Sequence, residues 1–70
     1  MERISVSSSN VASVGHDGAS QVLEVEFLNG AVYEYYDVPE HIYQELIAAS
    51  SVGSYLAQRV KNVYSFSRVG

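Results

Sequence analysis

The apolar residues of this chain fall into two regimes of spacing, and each predicts a different element. In "VLEVEF", residues 22–27, Leu23, Val25 and Phe27 alternate with Glu24 and Glu26, the period-two pattern of a strand with one buried and one wet face. Asn29–Gly30 marks a hairpin, and "AVYEYYDV", residues 31–38, is the returning strand, rich in Val and Tyr. Upstream, Val11, Ala12 and Val14 predict another strand, with Gly15 as a bulge or the strand's end and "DGASQ" as a turn. "SVSSSN", residues 5–10, reads as a lead-in loop or the start of an edge strand.

Past Pro39 the spacing changes. Val38, Ile42, Leu46 and Ala49, joined by Tyr43 and Ile47, form a wide helical stripe. Asp37 and Glu40 are spaced as a capping box, with Pro39 in the first turn, where its missing N–H is no loss. "ASS" interrupts the stripe, and Ser50 or Ser51 is expected to cap a second helix that buries Val52, Tyr55, Leu56 and Val60. Asn62 is the expected stop, and "VYSFSR" returns to period two. The order predicts an α+β domain: an antiparallel β-meander of about three strands packed on two short α-helices, with a short C-terminal strand.

Two registers are possible for the hairpin. A two-residue loop pairs Val25 with Glu34 and sets that carboxylate in the core, at several kcal/mol or a forced neutralisation. A three-residue loop, "LNG", puts Gly30 in the left-handed position and pairs Val25 with Tyr33 and Leu23 with Tyr35. Its cost is Glu24 opposite Glu34, at most about 1 kcal/mol when exposed. The three-residue loop is therefore expected. It makes Leu23, Val25, Phe27, Tyr33 and Tyr35, with Leu46 and Leu56 from the helices, the structural core. Tyr36 then shares the outer face with the three glutamates. Carboxylates beside an exposed aromatic face repel phosphate, so a base-stacking platform on the sheet is disfavoured.

Seventy residues make one domain, spanning 1–70, with an ordinary globular composition of 47% hydrophobic and 17% charged residues. Without cysteine there is no disulfide, thiolate nucleophile or Cys-type zinc site, and a reducing, cytoplasmic location is the simplest expectation. No apolar run approaches membrane-spanning length, so no membrane partner is expected. The net charge is -4, which opposes non-specific attraction to phosphate. Only Arg3, Arg59, Lys61 and Arg68 are basic, and the last three cluster near the C-terminus.

The ordered set of "SSN" at Ser8–Asn10, "VASVGHD", "LEVEF", "NG" followed by Tyr33-x-Tyr35, Val38–Pro39, "ASSVGSYL" and "VKNVYSF" resembles the KTSC domain family. That family takes its name from a segment at the C-terminus of some lysyl-tRNA synthetases and also occurs as a stand-alone small bacterial protein. His16 departs from the pattern, which has an aromatic there, usually Tyr. The resemblance implies a small α+β module, and its association with the synthetases implies RNA, or an RNA-bound protein, as a ligand.

Candidate chemistry is sparse. His16–Asp17 reads as a solvated turn pair, and His41 as an exposed first-turn residue. Glu24, Glu26 and Glu34 read as a wet strand face and not as a cation site. No phosphate-loop, dinucleotide or nucleophile-elbow motif is present, so no enzyme activity and no cofactor are expected. Candidate binding residues are Arg59, Lys61 and Arg68 as a positive patch, with Tyr36, Ser8, Ser9 and Asn10. The expectation is a non-catalytic binding module for RNA or an RNA-bound protein; the alternative is a protein–protein or homodimerisation module through a sheet edge.

Overall fold

A computed structural model describes all 70 residues. The chain forms a five-stranded antiparallel sheet in sequence order: β1 (Ile4–Ser5), β2 (Val11–Asp17), β3 (Val22–Phe27), β4 (Val32–Tyr35) and β5 (Phe66–Arg68). Two helices, α1 (Glu40–Ala48) and α2 (Val52–Arg59), connect β4 to β5 and pack on one face. The sheet is open, with β1 and β5 as its edges. No helix is long and apolar enough to cross a membrane.

The β3–β4 register pairs Leu23 with Tyr35, Glu24 with Glu34 and Val25 with Tyr33. The connecting loop has Gly30 at φ 92°, closed by the Gly30 amide donating to the Phe27 carbonyl and the Phe27 amide to the Ala31 carbonyl. This is the three-residue loop that the cost of burying Glu34 requires. The like-charge pair at Glu24–Glu34 has a counterion: the Arg3 guanidinium lies 3.2 Å from Glu24 and 4.0 Å from Glu26. The groups are part-exposed, which limits each contact to about 0–1 kcal/mol, but together they hold the N-terminal segment against the acidic face.

Inside, Val11, Val14, Leu23, Val25 and Tyr35 from the sheet meet Val38, Leu46, Val52, Leu56 and Val60 in one cluster. Each fully buried aliphatic side chain contributes about 1.5–3 kcal/mol. Phe27 and Tyr33 are half-buried at its margin, not inside it. Ser51 caps α2, its hydroxyl accepting from the Ser54 amide. The Tyr55 hydroxyl donates to Glu45 at 2.7 Å and ties the helices together.

Three local expectations are corrected. Asp37 forms no capping box: it has φ 59°, and Pro39 occupies the N-cap position with no side-chain bond. The chain must turn sharply from β4 into α1, and Asp tolerates the left-handed region that turn needs. Gly15 is neither bulge nor end, for it pairs with Glu24 within β2, while the register shift falls at Ala12. His16 is not a solvated turn residue. It lies in β2, half-buried, with Nε2 2.7 Å from the Val38 carbonyl and its ring stacked on Tyr43 at 5.5 Å. An imidazole thus fills a place where α1 enters across β2. Asp17 closes β2, paired with Val22, and its carboxylate accepts from the Ala19 amide in the turn that follows; its hydrogen bond with Ser20 leads the causes holding its carboxyl below the usual range.

Gly15 is required by a close approach. A β-carbon there would overlap the Glu2 carbonyl and lie 3.0 Å from Arg3 Cγ. Backbone cannot yield, so the simplest relief in a Gly15→Val variant is release of β1 from β2. Stability is expected to fall by about 1–3 kcal/mol, with amide-exchange protection lost at the β1–β2 pairing and retained in β3. Unchanged protection across β1 would refute the steric reading.

Candidate functional site

The helices do not cover the whole inward face of the sheet: Phe27 and Tyr33 are half-buried and Phe66 is exposed. There, along β4 and β5, the chain forms a cleft of about 440 Å³. Its walls are Phe27, Ala31, Tyr33, Tyr35 and Phe66, with Asn29, Asn62, Lys61 and Arg68 at the polar margin.

Each ring is placed by strand pairing. Tyr35 faces Phe66, and Tyr33 faces Arg68, across β4–β5; side chains two apart on a strand share a face. Tyr33 lies 5.6 Å from Phe27, edge to face, and 5.8 Å from Phe66. Tyr35 forms the deep end at 3% exposure, while Phe66 is 53% exposed. Burial, reinforced by Tyr33, pushes the Tyr35 hydroxyl above its ordinary ionisation range.

Arg3 is the one basic residue engaged in an ion pair. Lys61 and Arg68 have none, and both border the cleft. The Lys61 ammonium stands 5.3 Å from the Phe27 ring centre, within cation–π range. Arg68 Nε donates to the Gly70 carbonyl at 2.8 Å, which orients the guanidinium while its terminal nitrogens remain available.

The remaining predicted binding residues go elsewhere. Arg59 does not line the cleft; its guanidinium sits 5.8 Å from the Tyr55 ring. Tyr36 is on the outer face, its hydroxyl 3.4 Å from Glu34. Ser8 and Ser9 border a separate polar hollow of about 320 Å³ with Ser7, Ser50 and Ser51. The Ser8 hydroxyl bonds with Asn10 and accepts from the Val11 amide, which fixes the start of β2. A β-carbon on Gly53 would fall 2.6 Å from Asn10 Oδ1, so this segment is packed tightly on α2.

Charge is segregated across the sheet, as the three-residue hairpin register requires. Glu24, Glu26 and Glu34 share one face of the sheet and the rings share the other, with cations instead of acids at their margin. Sequence reasoning put Tyr33 and Tyr35 on the inward face but took that whole face to be covered. Phe66 was the signal missed: an aromatic between serines in a terminal strand, beside Arg68. No three His, Asp or Glu residues gather where they could hold a metal ion; the cleft is lined by aromatic rings with Lys61 and Arg68 at its margin.

The family model of the KTSC domain matches residues 7–64. Among curated relatives, an uncharacterized protein of Stutzerimonas stutzeri is 43% identical over 61 residues, covering 87% of this chain and 86% of its own length. A lysine–tRNA ligase of Trichormus variabilis is 33% identical over 77% of this chain, but over only 10% of the ligase. A solved KTSC domain protein from Yersinia pestis superimposes with a TM-score of 0.93 at 33% identity, covering 99% of this chain and 97% of that one. By sequence and by architecture, the chain belongs to the KTSC domain family.

Proposed function

We propose that this domain is a non-catalytic RNA-binding module whose ligand sits in the aromatic cleft against Lys61 and Arg68. The observation that carries this reading is the convergence of two unpaired cations and exposed ring surface on a body of net charge -4. Acids on the outer face repel a polyanion, so the potential favours approach at this one place. The lysine–tRNA ligases that contain a related segment handle tRNA, which supports RNA over other polyanions. With only two cations at the cleft, binding is weak and strongly dependent on salt.

The test is a titration with unfractionated tRNA at low ionic strength, followed by amide chemical shifts. Shifts are expected at Lys61, Phe66 and Arg68 and not at Tyr36 or Ser8, and they should vanish with modest added salt. The absence of shifts at the cleft would remove the proposal. A second reading, self-association through a sheet edge, draws on Ile4, Phe66 and Val69, which are 45%, 53% and 51% exposed on or beside the edge strands. A mass that rises with protein concentration before RNA is added would favour it.

A further inference from the structure

On the RNA reading above, we infer that the cleft takes one unpaired nucleotide, with its base against Phe66 and Tyr33 and its flanking phosphates on Arg68 and Lys61. The domain then reads loops, bulges or ends of RNA and not its double-helical parts.

The state of the rings points this way. Phe66 is tilted by 45° to Tyr33 and 41° to Tyr35, at 5.8 and 5.7 Å between centres. Neither tyrosine lies flat on Phe66, which keeps half of its surface exposed on an edge strand. Apolar ring surface of this kind is covered well by another flat π-system. A base inside a duplex has both faces already stacked on its neighbours, so only an unpaired base can supply one.

Size and charge agree. At about 440 Å³ the cleft is near the small end of ligand pockets, which run from roughly 300 to 1,000 Å³. It suits one nucleotide and not a run of them. The guanidinium of Arg68, oriented through Nε by Gly70, offers its two terminal nitrogens to phosphate oxygens in a fork. Lys61, held over Phe27, supplies a point charge on another wall. Asn29 uses its side-chain oxygen to accept from the Ala31 amide, leaving the NH₂ of that amide for a base edge. No carboxylate lines the cleft to oppose the phosphates.

The experiment compares the intact chain's affinity for a short oligouridylate, an oligoadenylate and a blunt RNA duplex at equal nucleotide concentration and low salt. The single strands are expected to bind more tightly than the duplex. Phe66→Ala should weaken single-strand binding about tenfold, Phe66→Tyr should retain it, and neither should alter duplex binding. Phe66→Leu keeps apolar bulk without a π-face and is expected to lose the same tenfold. It therefore separates stacking from any loosening of β5. Equal affinity for duplex and single strands, with no effect at Phe66, would overturn this inference and leave the RNA reading standing. Failure of every RNA to bind would remove the RNA reading itself. A poly-glutamate peptide that binds with the same dependence on Phe66 would assign the cleft to an acidic protein segment and overturn both.

Discussion

Replacing Tyr35 by alanine is expected to cost about 3–5 kcal/mol, the range for deleting a buried aromatic ring. A chain of this length has a total stability of about 4–10 kcal/mol, so the variant should have a sharply lower denaturant midpoint and a measurable unfolded fraction in water. The ring is 3% exposed, sits opposite Leu23 on β3 and packs between Tyr33 and Phe66. Removing it opens the core to the cleft. Tyr35→Phe should behave quite differently. No buried side-chain polar atom lacks a partner, and the hydroxyl has no protein partner among the hydrogen bonds of the cleft, so its loss should cost under about 1 kcal/mol. The alkaline limb gives an independent check. Because burial and Tyr33 raise the Tyr35 ionisation, the folded state resists losing that proton. The associated stability is complete below the ordinary tyrosine value of 10.0 and is lost as pH rises through the folded value. Tyr35→Phe should remove that share of the alkaline loss. Tyr55, whose hydroxyl is pushed up to about 12 chiefly by desolvation and its bond to Glu45, should keep its own. A Tyr35→Phe variant as unstable as Tyr35→Ala would show that the ring is not a packing element and would sink the account of the inward face.

What could be read from the chain was whatever rested on large local differences in cost. The hairpin register is such a case. Burying Glu34 and opposing Glu24 to Glu34 differ by several kcal/mol, and the pairing of Leu23 with Tyr35 follows. The α1 stripe and the Ser51 cap are also local, and both helices lie where the spacing puts them. The errors fall where one element meets another. Asp37 and Glu40 have capping-box spacing, but the Val38 amide donates to the Gln21 carbonyl and anchors the link on the β2–β3 turn. That contact spans the hairpin and is invisible to a motif. The sequence neighbour of His16 is Asp17, whereas its partners in space, Val38 and Tyr43, come from the β4–α1 link and from α1. In sequence Arg3 is one of four cations with no marked partner; only the β1–β2 pairing brings it to Glu24.

The cleft was missed for a geometric reason. Alternation tells which residues of a strand face inward, but not how far the covering layer extends. Phe27, Tyr33 and Phe66 obey the same period as Leu23 and Val25, yet the helices cover Leu23 and Val25 and leave the three rings partly open. The C-terminal cations were noticed as a group, and the structure divides that group. Lys61 follows α2 and Arg68 lies on β5, so both reach the open face, whereas Arg59, still on the helix, rests on Tyr55.

That division gives the second large effect. The double variant Lys61→Glu with Arg68→Glu is expected to lower affinity for tRNA by on the order of a hundredfold, since two charge-assisted phosphate contacts are exchanged for repulsion. The dependence on salt should flatten as well. For single-stranded nucleic acid each lost contact reduces the slope of log affinity against log salt by about 0.7, so the double variant should bind both weakly and with little response to salt. Arg59→Glu is the control that separates a site from a net charge. It makes the same change in charge as either single reversal on a body already at -4, but away from the cleft. It should therefore cost well under tenfold, while Lys61→Glu and Arg68→Glu each cost more. All three side chains are exposed and lack ion-pair partners, and the cation–π contacts of Lys61 and Arg59 are surface ones, so each variant should fold with its stability changed by no more than about 1 kcal/mol. If the three single reversals weaken binding equally, the domain attracts RNA by diffuse charge alone. The joint action of rings and cations at the open end of the sheet would then have no part in recognition.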